Sequence, residues 1–211
     1  MPLVKRRFFM SCREEECSKL YEIVKDRLPA LSHVEFQFTS KGLLIEVYGY
    51  ESDVKSAWHE IKKVAKALKE ALSTRSSMKK YSVDFIVQVI KKTFSPELLV
   101  EILRRMGHRA LYVREENTIF SDVSFEEITK LAGQVAEKNS LLAKISRNTS
   151  TRYYLVACSI LTSLTIDDII EISRSLGLLD ESENGRFIVK TDWRSAVDKF
   201  YKYYKQSISE K

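Results

Sequence analysis

Three cysteines (Cys12, Cys17, Cys158) and three histidines (His33, His59, His108) are the side chains of this 211-residue sequence best suited to redox, metal or nucleophilic chemistry. Zinc sites and dithiol centres are signalled by paired thiols at short spacing, and no Cys-x-x-Cys pair is present. An odd cysteine count argues against a disulfide framework, and the histidines show no metal-ligand spacing. All six therefore read as structural or incidental, since free cysteine is so often simply buried. No metal and no cofactor are expected. Glu14-Glu15-Glu16 falls in the first turn of an expected helix, where acidic groups complement the helix dipole. The sequence has no phosphate-binding glycine loop, Gly-x-Ser-x-Gly elbow, His-Glu-x-x-His or paired-Asp motif. Glycine, which active-site loops usually need, numbers six. No catalytic residue is assigned, and the chain is expected not to be an enzyme.

Cation placement is more informative. The net charge is +6, and residues 1–80 hold 16 basic against 11 acidic side chains, whereas 81–146 hold nine of each. A polyanionic partner would thus dock on the N-terminal region. The candidate nucleic-acid-binding residues are Lys5, Arg6 and Arg7 on the first strand, Lys41, Tyr48, Lys62, Lys63 and Lys66, and then Lys79 and Lys80. Lys69 extends the helix row, and Arg75 precedes the last pair. Phe9, Tyr48 and Tyr50 are expected beside Lys5 and Arg7 on an open sheet face, which suits single-stranded nucleic acid or a sheet-to-sheet dimer. A charged, solvated helix face is the plainer reading of the lysine row.

Local patterning supplies the elements that would carry these residues. Alternation marks strands at Lys5–Cys12, His33–Thr39 and Leu43–Tyr50, the last two joined by a Ser40-Lys41-Gly42 turn. Ser11 with Glu14 resembles a capping box, and the helix that follows closes at Pro29. Ser52 or Asp53 is expected to cap a long helix with Val54, Ala57, Trp58, Ile61, Ala65 and Leu68 inward. Three strands with two helices on one face leave the other face open. Lys41-Gly42-Leu43 begins like the Lys-Gly strand of an RNA-recognition motif, but Leu43 and Ile45 stand where stacking aromatics belong. A KH domain would need a Gly-x-x-Gly loop, which is missing.

Residues 74–81 read as a connector, and beyond them the chain becomes mostly helical. Phe94–Gly107 aligns without gaps on Leu164–Gly177, seventy residues on, matching caps, inward positions and terminal glycines. An apolar helix precedes each copy (Val83–Thr93 and Arg152–Ser163), and a short hairpin and a capped helix follow each. The second copy resembles the end of a winged helix-turn-helix. Its would-be reading helix carries Asp167, Asp168 and Glu171, and the wing at Asp180–Glu183 is also acidic, which disfavours DNA contact.

The fold class expected is α+β: a βαββα unit, half of a ferredoxin- or KH-like domain, followed by a mostly helical region of two helix–helix–β-hairpin–helix repeats. The expected domains are a basic βαββα domain over 1–73, a linker over 74–81, and repeats over 82–146 and 147–211, the last winged-helix-like. With no membrane span and no secretory signal, the location expected is cytoplasmic. The chain resembles a conserved archaeal family of unknown function in its Arg7-Phe8-Phe9-Met10-Ser11-Cys12 strand and Leu103-Arg104-Arg105-Met106-Gly107 helix end. Gly185-Arg186-Phe187 and Asp192-Trp193-Arg194 add to the likeness. The resemblance implies an archaeal origin, in keeping with a thermophile-like scarcity of Asn and Gln beside abundant charge, and implies no activity. The function expected is a non-enzymatic RNA-associated protein linked to ribosomes or RNA processing. The alternative is a protein-interaction scaffold or homodimer, joined through the open sheet face or the helical repeats.

Overall fold

The computed structural model describes residues 2–25, 28, 31–73, 77–182 and 186–209. The expected helix stop at Pro29, Arg75 of the basic run, and Glu183 and Gly185 lie outside the described residues. The chain is α+β and divides into two compact units, Met1–Val89 and Ile90–Lys211.

The first unit opens with β1 (Leu3–Met10), α1 (Glu14–Val24), β2 (His33–Thr39), β3 (Gly42–Tyr50) and α2 (Glu51–Ala71). β3 lies between β1 and β2 and is antiparallel to both. Strand alternation turns Leu43, Ile45 and Val47 toward one face, where all three are fully buried. α1 and α2 both pack on that face. Phe8 stacks flat on Trp58 with centroids 4.1 Å apart, and Tyr21 meets Phe36 edge-on at 5.1 Å. α2 buries Val54, Ala57, Ile61, Val64, Ala65, Leu68 and Ala71, one stripe along its length. β4 (Lys79–Ser82) and α3 (Val83–Ile90) follow. β4 takes up residues 79–81, the last three residues of the segment expected as a linker.

Several local expectations are corrected. Cys12 and Cys17, read as structural or incidental with an odd count arguing against a disulfide framework, form a disulfide with Cα atoms 5.4 Å apart, and Cys158 is the buried cysteine left over. The turn from the end of β1 into the first turn of α1 brings these two side chains together. A closed loop of roughly six residues stabilises by about 2 kcal/mol on the chain-entropy model. α1 starts at Glu14 with Arg13 as N-cap, not Ser11, and Arg13 N donates to Glu16 Oε2 at 3.1 Å. α2 starts at Glu51 with Tyr50 at its N-cap, because β3 pairing runs through Tyr50 and leaves no residue between strand and helix. Ser52 and Asp53 fall inside the first turn instead.

The second unit contains α4 (Pro96–Arg105), β5 (Ala110–Val113), β6 (Thr118–Ser121), α5 (Phe125–Leu142), α6 (Thr149–Thr162), α7 (Ile166–Ser175), β7 (Leu179–Glu181), β8 (Phe187–Val189) and α8 (Trp193–Ser209). α6 packs against α4, α5, α7 and α8, and Tyr154 through Ser159 are all buried, as a central helix requires. The aligned helices α4 and α7 share their end geometry. Ser95 and Thr165 each accept a hydrogen bond from the backbone N–H three residues on, and Gly107 and Gly177 both take positive φ. Each is followed by a two-stranded hairpin and a helix.

One glycine is dictated by close packing. Gly42 has φ +153°, and a Cβ there would stand 2.1 Å from the Met10 carbonyl oxygen. Gly42→Ala is expected to destabilise the chain by about 1–3 kcal/mol through backbone strain, with the clash adding to it. Urea unfolding checks this, and an unchanged midpoint would contradict it.

Candidate nucleic-acid interface

The β1–β3–β2 register assembles one face of the sheet that is turned away from the helices. Leu3 lies opposite Tyr50, Lys5 opposite Tyr48, Arg7 opposite Glu46 and Phe9 opposite Leu44, while β2 adds His33, Glu35 and Gln37. Phe9, Tyr48 and Tyr50 are 52%, 39% and 49% exposed, so their ring surfaces are available to a partner. The expected grouping of these aromatics with Lys5 and Arg7 is thus present in space.

The charges on that face are another matter. The Glu46 carboxylate takes ion pairs from both Lys5 and Arg7. Hydrogen bonds from Lys5 and then Arg7 hold the Glu46 carboxyl below its usual range, and the Glu46 carboxylate in turn raises the Arg7 guanidinium. Glu35 sits directly across from Glu46 as a second acid. The open face is consequently aromatic and close to neutral, a poor match for a run of phosphates.

A row of cations without ion-pair partners among the described residues lies in the helix layer. Lys62, Lys63, Lys66 and Lys69 of α2 are all exposed. Among the described residues none of the four has a carboxylate within ion-pairing distance. Lys62 places its ammonium 5.6 Å from the centre of the Trp58 ring. Lys62, Lys66 and Lys69 line an open groove of about 520 Å³ with Met10, Ala65, Glu70 and Ser73. Lys63 turns to the other flank of the helix, toward Ser82 and Asp84.

The ten candidate residues therefore do not converge. Lys5, Arg7 and Tyr48 occupy the open face, and Lys62, Lys63 and Lys66 lie in the helix layer on the opposite side of the sheet. Arg6 alternates to the helix side, where it helps keep the Glu51 carboxyl low after the larger effect of Lys55. Lys41 sits in the β2–β3 turn, and Lys79 and Lys80 belong to β4. Glu46 is the residue of this face that sequence reasoning passed over. Its position midway along an alternating strand was visible, but its two partners depend on the β1–β3 register. Among the described residues no group of three His, Cys, Asp or Glu side chains is placed to hold a metal ion. No described helix is long and apolar enough to cross a membrane.

The Glu46 pairs carry a pH signature. A carboxyl whose pKa is lowered on folding contributes its full stability above the ordinary carboxylate value near about 4.3, and loses it as pH falls through the lower folded value. Glu46→Gln is expected to be less stable than wild type at about pH 7, with the gap closing toward about pH 2. Urea midpoints of the two proteins across that range check this, and a gap independent of pH would contradict it.

Comparison with known proteins places the chain in context. A family model described as an uncharacterized protein conserved in archaea (DUF2067) matches residues 12–198. The uncharacterized protein MJ0388 of Methanocaldococcus jannaschii is 25% identical over 193 residues, spanning 87% of this chain and 86% of the relative. No solved structure matches the chain. The chain belongs to this archaeal family of uncharacterized proteins.

Proposed function

We propose that the chain is a non-enzymatic RNA-associated protein whose N-terminal unit contacts phosphates through the outer side of α2. The observation that carries this reading is the row of lysines Lys62, Lys66 and Lys69 along an open groove, with no carboxylate partner among the described residues. At about 1.5 Å rise per residue the row extends over about 10 Å, enough to reach successive phosphates of a single strand. Lys63 widens the positive surface, and Glu70 and Asp84 are acids that temper it. Lys5 and Arg7, spent on Glu46, contribute less than their position suggested.

A second reading has its own support. Leu3, Phe9, Tyr48 and Tyr50 give the open face an exposed apolar character that suits a protein partner or a second copy. Filter binding of total RNA over a range of salt separates the two. Binding to a single strand should weaken with salt at a log–log slope of about −0.7 per phosphate neutralised. The triple change Lys62→Glu, Lys63→Glu and Lys66→Glu should reduce the magnitude of that slope by about 2 and abolish retention at moderate salt. A salt-independent dimer that retains no RNA would overturn the RNA reading in favour of the second.

A further inference from the structure

The Cys12–Cys17 disulfide closes the junction of β1 and α1, and it is not sealed in the core. Both cysteines line a cleft of about 470 Å³ together with Arg13, Glu14, Ser18, Phe38, Thr39 and Ser40. The two cysteine residues differ in exposure. Cys12 is part-exposed, whereas Cys17 is 2% exposed. We propose that this pair is a thiol–disulfide exchange site whose cleft admits an attacking thiolate, carried by a low-molecular-weight thiol or by a dithiol on another protein.

The geometry gives each sulfur a role. An incoming thiolate attacks Cys12 Sγ, the reachable sulfur, forming a mixed disulfide as the Sγ–Sγ bond breaks and Cys17 departs as a thiolate. Cys17 stands in the first turns of α1, where the helix N-terminus favours a departing negative charge. Three acids share that turn and oppose this. Glu15 is held by Lys19 at 2.9 Å and Glu16 by the Arg13 N–H, which leaves Glu14 and the Arg13 guanidinium at the cleft. The Cys17 thiolate takes a proton from water. A second thiolate then attacks the incoming sulfur, frees Cys12, and leaves as the oxidised partner, so two thiols give up two electrons and the protein gains two thiols. Cys158 takes no part, because it is buried and burial pushes its thiol up.

Opening this bond is a local event. The β1–β3 register runs to Met10 opposite Leu43 by backbone pairing, which does not depend on the disulfide. The proposal is independent of the phosphate reading, since neither cysteine lines the lysine groove. The test treats the full native chain with reduced glutathione at several sub-denaturing urea concentrations, then quenches in acid, alkylates and maps adducts by mass spectrometry. The bond should open at a rate that urea does not change, as for a reaction within the folded state. The Cys17→Ser protein, given oxidised glutathione, should carry a glutathionyl adduct on Cys12. A parallel arm with a reduced dithiol protein identifies the source: faster opening by glutathione assigns the cleft to a small thiol, and faster opening by the protein assigns it to a chain segment. Opening that rises with urea in step with global unfolding would overturn the proposal.

Discussion

Glu46 lies halfway along β3, the central strand of the N-terminal sheet, and draws the Lys5 ammonium and the Arg7 guanidinium onto one carboxylate. The electrostatic character of the first unit follows from that cross-strand contact. On the far side of the same strand Leu43, Ile45 and Val47 anchor α1 and α2, so the register cannot slip by one residue without turning apolar side chains outward. The register that fixes the core therefore also fixes which cations are neutralised. The sheet face keeps its aromatic rings and loses its charge, while the exposed side of α2 keeps its charge.

The second unit is organised by burial instead. α6 is enclosed by α4, α5, α7 and α8 and supplies an unbroken run of buried side chains from Tyr154 to Ser159. Its polar atoms are provided for, as burial demands. The Tyr154 hydroxyl meets Ser173 of α7, and Lys138 of α5 donates to Ser159 at 2.7 Å. Arg105 ties α4 to α8 through Asp198 and the Arg194 carbonyl.

Much of the architecture was legible in the residues, because short-range patterning determined it. Alternation in 33–39 and 43–50 located the hairpin, and the aligned Ser95/Thr165 and Gly107/Gly177 caps took matching geometry. The misses share a different cause. The disulfide depends on how the chain turns between β1 and α1, and a count of cysteines says nothing about that turn. The N-caps moved because strand pairing ran up to the helix at Tyr50, so tertiary pairing overrode the local capping preference. The candidate site was half legible. Alternation put Lys5, Arg7 and Tyr48 on one face, but their separation from the α2 lysines and their neutralisation by Glu46 are properties of the assembled sheet.

The central claim is that positive charge available to a polyanion lies on α2 and not on the sheet face. Lysine footprinting tests it most directly: the native chain is acetylated with and without single-stranded RNA, and modification is quantified at each lysine by mass spectrometry. The account predicts protection at Lys62, Lys63, Lys66 and Lys69 with little change at Lys5. Protection centred on Lys5, or none at the α2 lysines under conditions where RNA is bound, would contradict it.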